Sequence, residues 1–399
     1  MTHPLSTSCP EPGLTRTWLA IIVLGIGAFS IVSTELAPIG LLSLIAGDLG
    51  RSEAAIGLTV TAYAWIGALS ALLSTIWLGK IPRKPLMIGL MLGLAISNGV
   101  AMASNEFSML LGARAIGAVF HGLFWAMIGA LAAQIAPARQ IGLATSIVFG
   151  GVSAASVLGV PLATLIGQSD GWRFSFGAIA ILCFATALAM IVLVPHVKAE
   201  APVGRKALAE VLRRNDLKAI YLATALVVTS HFTAFTYIEP FLSNTAGVSG
   251  SMVATLLFSF GAAGIAGNVV TAVYLDKNLK TTLILAMATM SATLICLATF
   301  GESLAIGLLM ALVALWGMAI AIIFVGFQTW ILKIAENAAM PASAIYVSIF
   351  NAAIGSGAIL GSWVLGHTGP MGLLGLAGVG GMISIGLVSL CNAPARNTL

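Results

Sequence analysis

The chain has 399 residues, of which 59% are hydrophobic and only 8% charged, and its net charge is +5. A soluble domain carries about 25% charged residues, so the composition excludes a water-soluble protein and predicts an integral membrane protein. The positive balance does not point to nucleic acid, because the basic residues sit in short connections between apolar runs, as in a membrane orientation signal.

The opening stretch, MTHPLSTSCPEPGLTRTW, is polar and proline-rich. It lacks the layout of a cleavable signal peptide, so the first span is expected to be retained. A membrane helix needs about 20 mostly apolar residues. Six such runs come first: Trp18–Ala46, Ile56–Leu78, Leu86–Ala103, Phe107–Ala133, Ile141–Ile166 and Phe174–Val194. Six more follow: Ile220–Leu242, Met252–Leu275, Thr281–Phe300, Leu304–Leu332, Ser343–Gly366 and Met371–Leu390. Strands of a membrane barrel would be about 10 residues long and alternate in polarity; these runs are too long and too uniform. The expected fold is all-α, with twelve transmembrane helices in two pseudo-symmetric six-helix bundles. The expected parts are a tail (1–17), a first bundle (18–194), a linker (195–219), a second bundle (220–390) and a tail (391–399).

Orientation follows from lysine and arginine. With the N-terminus in the cytoplasm, fifteen of the 18 basic residues are cytoplasmic, Arg51 and Arg173 are outside, and Arg114 lies within a span. Both termini are therefore expected in the cytoplasm. The linker places Leu208, Val211 and Leu212 at helical spacing among basic residues, which predicts a helix lying on the membrane surface. Trp172 and Arg173, in DGWRF, are expected to anchor at the outer interface. Four cysteines (Cys9, Cys183, Cys296, Cys391) have no ligand spacing, so neither a disulfide nor a metal site is expected.

The halves echo each other. The first span holds TELAPIGLL and the seventh ends TYIEPFL, with Glu35 and Glu239 separated by 204 positions. SIVFGGVSAASVLG in the fifth span and SIFNAAIGSGAILG in the eleventh pair Ser146 with Ser348 and Gly159 with Gly361, each 202 apart. Repeated units of this kind place a transporter's substrate near the bilayer midplane, between the halves.

These features resemble the major facilitator superfamily over almost the whole chain. TELAPIGLL is similar to the first-helix pattern of bacterial drug- and sugar-efflux proton antiporters. RAIGAVFHGLFWAMIGALAAQIAP resembles the family's fourth helix with its buried arginine, and SVLGVPLATLIGQSDGWR resembles its fifth-helix antiporter motif, with Gly159 and Pro161. HFTAFTYIEPFL resembles the seventh helix of the bacterial sugar efflux transporters in particular. The superfamily's loop after the second helix reads here as GKIPRKP, which keeps Gly79, Arg83 and Lys84 but lacks the acid; VYLDKNLK in the second half keeps Asp276 and Lys277. The resemblance implies gating roles for Arg83, Lys84, Gly159, Pro161 and Asp276.

Three charged side chains lie within spans: Glu35, Arg114 and Glu239. Such charges are costly and usually face a cavity or one another. Glu35 and Arg114 fall at similar depth, so contact between them is expected. The three are candidates for proton coupling. His121 follows Arg114 on the same helix face, and His231 precedes Glu239 by eight residues on similar sides; histidine is the residue type whose unperturbed titration falls in the working range. Gln328 and Asn351 offer hydrogen bonds, and Tyr63, Trp125, Tyr237 and Trp316 offer rings that stack on a sugar or flat solute. With the two histidines they make up the expected substrate-binding set.

There is no phosphate-binding glycine-rich loop with Lys-Ser/Thr. No enzyme activity and no cofactor are expected. The sequence predicts proton-coupled efflux of a small solute, a sugar among the candidates, across the bacterial cytoplasmic membrane by alternating access. Two alternatives remain at this point: a broad-specificity drug/proton antiporter, and a solute receptor that does not transport. The expected partners are the solute, protons and the lipid bilayer, with the monomer as the working unit and no nucleic acid.

Overall fold

A computed structural model describes residues 14–77, 81–137, 140–197, 204–245 and 247–391, and these are helical with no strand among them. In a bilayer core each backbone polar group must be satisfied within the protein, and a helix does this with its own residues. The first half holds α1 (Leu14–Leu36), a 3-10 turn (Ala37–Gly40), α2 (Leu42–Asp48), α3 (Glu53–Trp77), α4 (Arg83–Met102) and α5 (Phe107–Ile135). It continues with α6 (Ile141–Ala154), a π-helical segment (Ala155–Gly159), α7 (Val160–Asp170) and α8 (Trp172–Leu193). Then come α9 (Arg205–Arg213), α10 (Asn215–Phe235), α11 (Ile238–Ser243), α12 (Gly250–Phe300), α13 (Ile306–Ala335) and α14 (Ala339–Leu390).

Twelve spans are counted once the long helices are divided. The α12 helix breaks at Asn278 (φ −142°) and α14 at Gly369 (φ 70°). At Gly369 the positive φ is open to glycine at little cost, and Pro370 follows, which removes a donor from the next turn. An even number of spans puts the start of α1 and the end of α14 at one end of the molecule, here the terminal end; the opposite end is the distal end.

Three expected spans are interrupted. The first ends at Leu36 because Pro38 stands in the 3-10 turn and cannot donate to a continuing helix. The seventh breaks at Thr236–Tyr237 before α11. The fifth is interrupted by the π segment just before Pro161; such bulges release a hydrogen bond that a proline cannot supply.

Within the first half α1 packs on α6, α8 and α5, and α4 packs on α8. Within the second, α10 packs on α14 and α12 on α13. Two seams join the halves. Along one, α3 lies against α14: Ser362 Oγ donates to Ala54 O at 3.0 Å, Trp65 Nε1 to Ala352 O at 3.1 Å and Ser348 Oγ to Ala68 O at 3.3 Å. Along the other, α7 and the π segment lie against α12. A methyl group at Gly261 would stand 2.5 Å from Ser156 O and from Val157 Cα, so the absence of a side chain there permits the approach.

The linker residues form a helix, α9, as their spacing predicts. Leu208 and Val211 are buried, and α9 packs on α10 and α14 rather than offering its whole apolar face to lipid. Leu212 stays 50% exposed because it lies about 100° around the helix from Val211. Residues 1–13 and 198–203, and 392–399 of the C-terminal tail, lie outside the described part.

Candidate functional site

The break in α1 determines what surrounds Glu35. A helix end leaves carbonyl groups without partners. Here Arg114, from α5, supplies them: one guanidinium nitrogen, Nη1, donates to Thr34 O, and Nη2 donates to Glu35 O at 3.0 Å. The guanidinium also lies over the Tyr63 ring, 4.0 Å from its centroid, which is cation–π geometry. So Arg114 and Glu35 do meet, but through the Glu35 backbone. The Glu35 carboxylate lies instead beside His121, with Oε2 3.7 Å from Nε2.

His121 packs edge-on to Tyr63, with ring centroids 5.1 Å apart, and next to Trp125 at 6.3 Å. Asn351, on α14, completes the group from the other half. A methyl group built on Gly67 of α3 would stand 3.5 Å from the His121 ring and 3.9 Å from Asn351 Oδ1. Buried polar atoms are normally paired. Here Glu35 Oε1, Tyr63 Oη, Arg114 Nε, both His121 nitrogens and Asn351 Oδ1 have no hydrogen-bond partner in the protein. This is a cluster of polar atoms, walled by both halves, whose hydrogen-bonding capacity the fold itself does not use.

Asn98, in α4, supports the cluster from behind: its Nδ2 donates to Thr34 Oγ1 at 3.1 Å and to Leu94 O at 2.9 Å. The sequence reading passed over it. The available signal was a carboxamide within the apolar run AISNGVAM, where such groups commonly join helices.

The second half places its candidates differently. His231, on α10, accepts at Nδ1 from Trp316 Nε1 at 3.1 Å, so Nδ1 carries no proton. Its ring stacks on Phe235, with centroids 5.0 Å apart, and meets Phe232, Phe260 and Phe324. His231 and Trp316 thus form an aromatic group of their own. Glu239 lies beyond the helix break, on α11, and is separated from His231 by it. It is 1% exposed, accepts from Ser43 N of α2 at 2.8 Å with Oε2, and from Ser243 Oγ at 2.6 Å with Oε1. Tyr237 is also at the seam rather than beside His121: its hydroxyl donates to Ala358 O at 2.9 Å.

Of the remaining candidates, Gln328 Nε2 donates to Ser343 Oγ at 2.8 Å, within the second half. Gly159 packs against Ser33 of α1, and Pro161 is buried one residue into α7. Arg83 is buried, with Nε unpartnered, and Lys84 beside it is half-buried. The side chain of Asp276 and the loop residues Gly79 and Lys80 lie outside the described part. Arg173 bridges to Asp48 at 2.7 Å and donates to Ser104 O, so at the distal surface it ties loops together.

Comparison with known proteins decides the class. A profile of the Major Facilitator Superfamily matches residues 17–362. The chain belongs to the major facilitator superfamily. It is therefore a multi-pass membrane transporter and not an enzyme. The crystal structure of the human organic anion transporter MFSD10 (TETRAN) aligns with a TM-score of 0.69, covering 96% of this chain and 100% of that one. Sequence identity is 16%, so this likeness shows the shared superfamily fold.

Proposed function

We propose that the chain exports a small solute in exchange for protons, by alternating access, with Glu35 as the coupling acid. The supporting observation is the buried group of Glu35, His121, Tyr63 and Asn351 between the halves, with its unpartnered polar atoms. An unpaired buried polar group costs about 1–3 kcal/mol. A cluster of them makes sense where a proton or solute completes the bonding during a cycle. Glu35 Oε1 and Asn351 Oδ1 are acceptors, Arg114 Nε is a donor, and the Tyr63 hydroxyl and a neutral His121 each offer both. That mixed inventory favours a solute rich in hydroxyl groups, which donate and accept, in keeping with a sugar. It disfavours an organic anion of the kind named for MFSD10, since Arg114 is already committed to two carbonyls.

A second reading, the drug/proton antiporter, has one observation in its favour: the aromatic side chains around His231 suit a flat apolar solute. The orientation is proposed from the basic residues: the terminal end is cytoplasmic and the distal end faces outward, in a bacterial cytoplasmic membrane. The monomer is proposed as the working unit, since the polar cluster is complete within one chain.

A proton crossing a membrane gains about 2.3 kcal/mol per 100 mV, enough to bias export. Glu35→Gln resembles the protonated acid in shape and charge. In proteoliposomes it is expected to lose proton-driven accumulation and to retain counterflow of solute against solute. Full proton-driven accumulation with unchanged pH dependence would refute the coupling role. Counterflow against a panel of pentoses, nucleosides and hydrophobic cations separates the two solute readings.

A further inference from the structure

Glu239 is not part of the cluster around Glu35, and its surroundings suggest a different task. It sits where α11 meets α2 and the 3-10 turn of the first half. Ser43 joins two acids there: its N–H donates to Glu239 of the second half, while its hydroxyl donates to Glu53 Oε1 at 2.7 Å in the first. Nearby, Tyr237 projects across the seam into the space left by Gly57, where a methyl group would overlap its hydroxyl. Ser362 donates to Ala54 O in the same region. These contacts close the distal end.

The charges around this closure are one-sided. Glu53 is the acid that shares Ser43 with Glu239. On α2 the titratable residue is Asp48, already bridged to Arg173. Arg51 is exposed in the connection before α3, and His367 of α14 lies exposed against Trp363. The 3-10 turn has no titratable residue, and the first turns of α12 have none. Two carboxyl groups thus meet at the seam through one serine, Glu239 buried and Glu53 half-buried, without a described cation between them. Like charges at close range in a poorly screened site repel. Opening the seam would hydrate and separate them.

We infer that Glu239 is a second proton-binding site, whose protonation from outside closes the distal seam and whose ionisation opens it. The inference rests on the exporter reading above. It assigns an order to the cycle: the outward-open protein releases solute, takes a proton at Glu239, and only then seals. Glu35 couples, whereas Glu239 controls the outer gate.

The test is a distance measurement by pulsed electron resonance. Spin labels replace Glu106 and Ala305, both exposed at the distal starts of α5 and α13, in a cysteine-free chain carrying Glu35→Gln. That background removes the coupling acid, so a remaining pH response belongs elsewhere. Raising pH from about 5.5 to 8.5 is expected to increase the ratio of distally open to closed molecules by roughly tenfold, within the usual range for coupled sites. Adding Glu239→Gln is expected to hold the closed distance at both pH values. Glu53→Gln, on the rim, is expected to weaken the response and provides the answer if the Glu239 variant does not fold. No pH response in the Glu35→Gln parent would overturn the inference. So would a response that survives Glu239→Gln, or opening of that variant at both pH values. Failure of proton-driven transport in Glu35→Gln tests the exporter reading separately and leaves these distances interpretable.

Discussion

Arg114 offers the sharpest test of how the site is built, because two roles for it predict opposite results. If it balanced the charge of Glu35, any cation of similar reach would serve. The structure gives it a different role: two nitrogens of one planar fork hold the last carbonyls of α1, and the flat face covers Tyr63. Lysine keeps the charge and its desolvation cost but has no fork. An ammonium in this position reaches one carbonyl and does not stack as a guanidinium does. A hydrogen bond involving a charged group contributes about 1.5–3 kcal/mol, and a buried cation–π contact about 2 kcal/mol. Losing one bond and the stacking comes to about 3–5 kcal/mol. Since about 1.4 kcal/mol is a factor of ten in population, even the bond alone is a loss of roughly ten- to a hundredfold in correctly formed sites. Arg114→Lys is therefore expected to retain less than a tenth of proton-driven transport and to melt at lower temperature in detergent. Arg114→Ala is expected to abolish transport while still inserting, since removing a desolvated cation offsets part of the lost bonding. The assays are transport in proteoliposomes and thermal unfolding of the purified protein. Near-normal transport and melting of Arg114→Lys would refute the capping role and restore simple charge balance.

Two further substitutions test the seams and the distal surface. Gly261→Leu pushes a side chain against Ser156 O and Val157 Cα, which are backbone atoms and do not yield; it is expected to disfavour this closed arrangement by about 1–3 kcal/mol, read as reduced crosslinking of a Ser153→Cys/Asn268→Cys pair, two positions on the same seam where Asn268 Nδ2 lies 3.5 Å from Ser153 Oγ. Asp48→Asn removes an exposed bridge to Arg173 while that arginine keeps Ser104 O; a change in stability of less than about 1 kcal/mol is expected, with transport unaltered.

Much of the architecture was legible because lipid leaves so few choices. Apolar length located the twelve spans, and the positions of Asn278 and Gly369 fall in the gaps between predicted runs. The breaks inside spans were less legible. Pro38 and Pro240 were visible as residues, but hydropathy averages over about 20 positions and does not register one missing donor. The site shows the same division. Helical spacing brought His121 and Arg114 to one face, and depth brought Glu35 to Arg114; that His121 faces the Glu35 carboxylate was not legible. Spacing did not reveal that Arg114 would take the backbone of Glu35 rather than its carboxylate, because the carbonyls became available only where the helix stopped. His231 and Glu239 were placed on similar sides by counting along a continuous helix. The break at Thr236–Tyr237 lies between them, and the count fails across it.

The same break corrects the pairing of the two acids. Aligning the halves at the 202-residue offset of Ser146 with Ser348 and Gly159 with Gly361 also matches Thr34 with Thr236 and Pro38 with Pro240. Glu35 then corresponds to Tyr237, and Glu239 corresponds to Ala37, one residue before the proline. The two glutamates are therefore not equivalents displaced by two positions. At the last turn of the first half's helix an acid faces a histidine, and Arg114 holds the exposed carbonyls. At the equivalent place in the second half, a tyrosine fills a glycine gap in the seam and binds Ala358 O. The acid of that half has moved past the break, to where the halves touch at the distal end. One helical device, a span stopped short of its end, has been given a buried acid beside His121 in one copy and a contact between the halves in the other. On the exporter reading proposed above, binding a proton at one depth and sealing at another requires that the two copies diverge at this point.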